Sequence, residues 1–187
     1  MATRLHPLAS AVTVDLAHGR IELKTPSLAR AVAVPATWLA RAIAALGDGV
    51  DPLAKSLAES VAKDAAMILD GTADPTPEEV AYSIALALGQ RGFGTCGFER
   101  FGDALTLLWN FPPATDASFH RFATTLVAKV VSDVTGVPTH AAVLSTHADG
   151  LTLFLGADAA CALVRERAAR GDAGPQILAT LLGGASA

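Results

Sequence analysis

Five histidines and two cysteines are the groups on which metal or nucleophilic chemistry would have to be built in this 187-residue chain. The histidines are His6, His18, His120, His140 and His147, and they make no HxH, HxxH or HExxH spacing. Zinc sites draw two ligands from one short stretch so that a single element can present both, and no such pair exists here. His140 and His147 stand at an odd separation on one predicted strand, so they are expected on opposite faces. His120 is the best placed to act, because it rides an amphipathic segment beside apolar residues. Cys96 and Cys161 are far apart and read as buried thiols rather than a disulfide or a metal pair.

The remaining polar residues add little. Glu99 and Asp103 straddle a turn and could hold a cation weakly, but a solvated hairpin end uses the same residues. Ser118 and Ser145 lack the strained strand-to-helix setting of a nucleophile elbow. No catalytic residue, metal ligand or cofactor is assigned, and the chain reads as leaning away from an enzyme. The glycines of GFGTCGFERFG, at 92, 94 and 97, imitate a phosphate loop. A dinucleotide fingerprint must follow a strand and open a helix. Here the run follows a predicted helix and opens a predicted strand. It is expected to form turns and a strand whose missing side chains admit a neighbouring helix.

Composition narrows the class further. Hydrophobic residues make up 51% and charged residues 17% of the chain, and the mean hydropathy is +0.41. Part of that apolarity is alanine, and part is expected to be covered by a second copy of the chain. A net charge of −4 without a basic cluster argues against a nucleic-acid partner. No continuous apolar stretch reaches the ~20 residues of a membrane span. MATRLHPLAS has no apolar signal core, so the expectation is a cytoplasmic protein.

The elements follow from periodicity and punctuation. AVTVDLAHGRIELK alternates around His18-Gly19, the pattern of a hairpin. PATWLARAIAALG is helical, with Trp38, Leu39, Ala42, Ile43 and Leu46 in one stripe and Gly47 as its stop. Asp51-Pro52 then opens a helix with Asp51 as its cap and an apolar stripe of Leu53, Leu57, Val61, Ala65 and Leu69. Thr76-Pro77-Glu78-Glu79 is a capping box that starts a third helix. ALTLLWNF alternates with both faces apolar, which fits a central strand or one covered by a second subunit.

Thr115-Asp116 caps a long helix carrying Phe119, Phe122, Leu126, Val130 and Val134. THAAVLSTH and LTLFLG flank Asp149-Gly150, a hairpin signal. Two helices close the chain. The fold class is α/β of the α+β type: a twisted antiparallel four-stranded sheet with helices on one face, plus an additional N-terminal hairpin. One domain is expected over 1–187, divided into the hairpin (1–24), a helical part (35–91), a hairpin–helix–hairpin core (92–156) and C-terminal helices (157–183).

In this order the chain resembles the 4-vinyl-reductase-domain family, which shares its fold with the small subunits of the TRAPP vesicle-tethering complex. The resemblance runs from about His18 to Arg170. It rests on HGRIELKTPSLARAVAVPATWLARAI, GFGTCGFERFGDALTLLWNF, the F-x-x-F helix at Phe119 and Phe122, and the hairpin THADGLTLFLG. It implies an α/β homodimer that either holds a small hydrophobic ligand as a sensor or carrier, or acts as a protein-binding assembly scaffold with a filled core. Ligand-binding members of the family carry cysteines near the last hairpin that could hold a metal. LSTHADGLTLF carries none, which leaves only Cys96 in the earlier hairpin. The expected pocket is lined by Phe98, Leu107, Trp109, Phe119, Phe122 and Phe154, with His120 or Cys96 supplying polarity. The same residue types fill an ordinary core, and the sequence does not separate the two.

Overall fold

The computed structural model describes residues 12–15, 20–23, 30–31, 34–102 and 104–183. Its contacts divide the chain into two compact units, Met1–Pro35 and Ala36–Ala187. In the first, β1 (Val12–Asp15) and β2 (Arg20–Leu23) pair antiparallel with Val14 opposite Ile21. This is the expected hairpin, although its His18-Gly19 turn lies outside the described residues. A short third strand, β3 (Arg30–Ala31), adds to β2.

The second unit holds the hairpin–helix–hairpin. Strands β4 (Thr95–Phe101) and β5 (Ala104–Asn110) form the first hairpin. Helix α4 (Ala117–Thr135) crosses over, and β6 (His140–His147) and β7 (Gly150–Gly156) form the second hairpin. The sheet order is β4-β5-β7-β6 with every pair antiparallel, so β5 is central, as its two apolar faces require. Leu105, Leu107 and Trp109 of β5 and Leu151, Leu153 and Leu155 of β7 turn to one face. There they meet α1 (Ala36–Leu46), α2 (Val50–Ile68), α3 (Pro77–Gly89) and α4 in the main core.

The other face is not bare. Helices α5 (Asp158–Ala169) and α6 (Gly174–Gly183) cover part of it, burying Cys161, Val164 and Ile177 against Ala142, Leu144 and Phe154. The expectation of helices on one face is therefore corrected to helices on both. The cause is the double apolarity of β5 and β7, which leaves two faces to cover.

Local signals placed several helix ends well. Thr76 Oγ1 accepts from the Glu79 amide, and the Glu79 carboxylate accepts from the Thr76 amide, so the capping box is complete. Asp116 caps α4 by accepting from the Phe119 amide, and Gly136 ends it in the left-handed conformation at φ 71°. Asp51 behaves differently. It lies in the first turn of α2, whose cap is Gly49, and its carboxylate accepts from Arg121 and Thr125 of α4.

The buried face of α2 also departs in part from the expected stripe. Val50, Ala54, Ala58, Val61, Ala62 and Ala65 are buried, while Leu53 remains 40% exposed. Val61 and Ala65 of the expected stripe are buried and Leu57 packs against the core, but the buried face also takes in Ala54, Ala58 and Ala62, which a count of bulky residues passes over.

Two glycine assignments change as well. Gly94 (φ 84°) admits a strand backbone rather than a helix: a Cβ there would lie 2.2 Å from the Asn110 carbonyl oxygen. The second hairpin turns at Ala148-Asp149, with Gly150 already paired to His147. A Cβ on Gly150 would lie 2.0 Å from the Trp109 oxygen, so this glycine serves the close approach of β5 and not the turn.

Candidate functional site

Four aromatic side chains of the core pack ring on ring. Phe93 lies 6.2 Å from Trp109 edge to face and 5.9 Å from Phe122 in a stack, and Phe119 lies 5.7 Å from both Trp109 and Phe122. These are the separations at which aromatic pairs attract beyond their buried area. The Trp109 indole N–H donates to the Phe93 carbonyl, which satisfies the one polar atom in the cluster. Leu107, Trp109, Phe119 and Phe122 are all essentially fully buried. They form a packed floor rather than the wall of a void.

Open space lies elsewhere along the core, under α3 and the C-terminal end of α4. A cleft of about 420 Å³ is bounded by Val80, Ala81 and Ile84 of α3, Val131 and Val134 of α4, and Phe98 and Leu105 of the first hairpin. Pro75 and Pro77, on either side of the Thr76 cap, form its lip. On the β4 side of Phe98 a groove of about 370 Å³ adjoins it, and the two share Pro77, Ala81, Phe98 and Leu105. Tyr82, Cys96 and Arg100 line the groove. Half-buried Val80, Phe98, Leu105 and Val134 thus present apolar surface that the protein leaves partly uncovered.

The predicted lining residues are divided among these places. Phe98 and Cys96 reach the open site under α3. Leu107, Trp109, Phe119 and Phe122 back the aromatic floor. Phe154 packs on the opposite face of the sheet with Cys161 and Val164. His120 lines a separate hollow of about 290 Å³ with Thr124, Val143 and Arg165, and its Nε2 is 3.4 Å from the Thr146 hydroxyl. Sequence reasoning missed Pro75, Val80, Val131, Val134 and Thr135 as lining residues. Their only signal is membership of two helix faces that must diverge where α3 begins and α4 ends.

The electrostatics of the site are quiet. Burial pushes the Cys96 thiol from an ordinary 9.0 up to about 12, so it is a neutral wall group rather than a nucleophile at neutral pH. Among the described residues no group of three or more His, Cys, Asp or Glu side chains could hold a metal ion. A β-bulge between Val143 and Ser145 shifts the parity of β6. His140 and His147 therefore come to the same face of the sheet, contrary to the odd-spacing expectation, and His140 Nδ1 lies 3.6 Å from Asp158 on α5. No helix among the described residues is long and apolar enough to cross a membrane.

No protein-family model matches the chain. No curated protein matches it in sequence. Among solved structures, it is similar to the phenol-responsive sensory domain of the transcription activator PoxR, determined with phenol. The TM-score is 0.56 at 13% sequence identity, over 79% of this chain and 86% of that one. The fold of this chain is therefore one that a ligand-responsive sensory domain also uses.

Proposed function

We propose that this chain is a non-enzymatic sensor or carrier domain of the 4-vinyl-reductase type that holds a small apolar molecule under α3. The observation that carries this reading is the cleft of about 420 Å³, apolar on three sides and seated between two helices and a strand pair. Its size falls in the range of small-molecule sites, and bundles of elements around a sheet are where such sites form. Phe98 is the aromatic wall, and the Cys96 thiol lines the polar end beside Tyr82 and Arg100. The similarity to a phenol-responsive domain supports a one-ring or two-ring aromatic as the ligand class.

Native mass spectrometry of the purified protein, followed by a denaturing spectrum, tests the reading. The expected result is a stoichiometric small-molecule mass that is lost on denaturation, carried by a homodimer. A Val134→Trp variant, which fills the cleft from half-buried α4, should lose that mass while keeping its fold. A mass retained in Val134→Trp would place the ligand elsewhere.

A second reading is an assembly scaffold that works through its surface. It is favoured by the exposure of Trp38 (58%), Leu46 (43%) and Leu53 on α1 and α2, because large apolar side chains at such exposure mark contact surfaces. A homodimer without bound mass, broken by Trp38→Ser, would favour the scaffold.

A further inference from the structure

The face of the sheet turned away from the cleft carries a second cavity, of about 430 Å³. Its floor is one transverse row of the sheet, because Leu108 pairs with both Gly97 and Thr152, and Thr152 pairs with Ser145. Gly97 has no side chain, and a Cβ there would meet nothing within 4 Å, so the row is bare at its β4 end. Helix α6 forms the wall through Leu178, Ala179 and Leu182, and Phe101 stands at the rim.

The helix is held at both ends. Gly174 seats against Leu144 at 3.4 Å from its Cβ position, and Leu182 Cδ2 lies 2.8 Å from the Cβ position of Gly102. Ile177 is fully buried between them. The space is thus an open groove beside a helix that is seated at both ends.

Its chemistry is narrow. Leu108, Leu144, Leu178 and Leu182 supply the walls, and the polar exceptions are Glu99, Thr106, Ser145 and Thr152. The Thr106 hydroxyl is already donated to the Glu99 carbonyl. Ser145 is exposed and Thr152 half-buried, and neither hydroxyl bonds to a described residue. We propose that this cavity is a second ligand site, for an uncharged one-ring or two-ring molecule carrying a hydrogen-bond donor. The Thr152 hydroxyl on the floor accepts such a donor, and the Glu99 carboxylate at the edge opposes an anion. A space of this volume falls in the range of small-molecule sites, and a small molecule is the occupant proposed here.

Titration of the full chain with N-phenyl-naphthylamine, a neutral fluorophore with one N–H donor, tests the proposal. Ala179→Trp fills this cavity from an exposed position on α6, and Ala81→Trp fills the cleft on the other face. The expected result is a saturable site that survives in Ala81→Trp and disappears in Ala179→Trp, with circular dichroism and melting unchanged in both. Thr152→Val should weaken that site roughly three- to tenfold, as the loss of one hydrogen bond does. Unchanged binding in Ala179→Trp, or loss of all binding in Ala81→Trp alone, overturns the second site. Equal affinity in Thr152→Val overturns the assigned hydrogen bond. A concentration-dependent dimer that Ala179→Trp dissociates would make the cavity an interface and overturn the proposal.

Discussion

Arg91 shows how one side chain can decide whether a helix junction exists. Its guanidinium lies 2.6 Å from the Asp64 carboxylate, with both side chains largely buried, and it also donates to the Ser60 hydroxyl and the Ala87 carbonyl. Removing one member of such a pair leaves a charge without a partner in a poorly solvated place. Arg91→Ala is therefore expected to cost about 3–5 kcal/mol in urea unfolding. The double variant with Asp64→Ala should cost less than the two single losses added. Cys96 gives a second residue-scale prediction, with a defined sign. Its folded-state thiol is pushed up to about 12 from an ordinary 9.0, so the folded chain keeps a proton that the unfolded chain has lost. The stability this contributes is fully present below about 9 and disappears as the pH rises towards about 12. Melting temperature should fall across that window, and Cys96→Ala should flatten part of the fall. An identical alkaline slope in the variant would mean that the thiol is not shielded.

At the scale of elements, α3 ties the fold to the site, because the cap that starts it also sets the lip of the cleft. Thr76→Ala removes one half of the capping box and is expected to destabilise by about 1 kcal/mol. If the cap positions Pro75 and Pro77, a ligand seated beneath them should also bind more weakly in that variant. The elements also show what the sequence made legible. Caps are local chemistry, so Thr76, Asp116 and Gly136 could be read directly. The buried face of α2 could be read only in part: Val61 and Ala65 were in the expected stripe, but Ala54, Ala58 and Ala62 are buried too, and leucines dominate any stripe drawn by hydrophobicity. Gly94 and Gly150 look like turn residues in the chain. Their requirement comes from the backbone oxygens of Asn110 and Trp109, which lie far away in sequence. The bulge in β6 has no local signature and reverses the parity on which the histidine assignment rested. For the candidate site, Cys96 and Phe98 are the expected lining residues that border the open space under α3. The split between packed floor and open cleft was not legible, since Trp109, Phe119 and Phe98 are equally plausible in either.

In the larger unit, Ala36–Ala187, a four-stranded antiparallel sheet carries a closed aromatic core, and open apolar space lies under α3. A protein that needed only stability would gain by filling the space between Val80, Phe98 and Val134 with larger side chains. Leaving it open fits a domain whose apolar surface is completed by a ligand, and ligand binding would then raise stability by mass action. The most direct test is methyl NMR of the full chain during titration with neutral one-ring and two-ring aromatics, phenol and indole included. The account predicts saturable shifts at the methyls of Val80, Ile84, Leu105, Val131 and Val134, with the deep methyls of Leu126 and Val130 moving little. Methyl signals around the cleft that stay fixed at millimolar concentrations of every compound would contradict it.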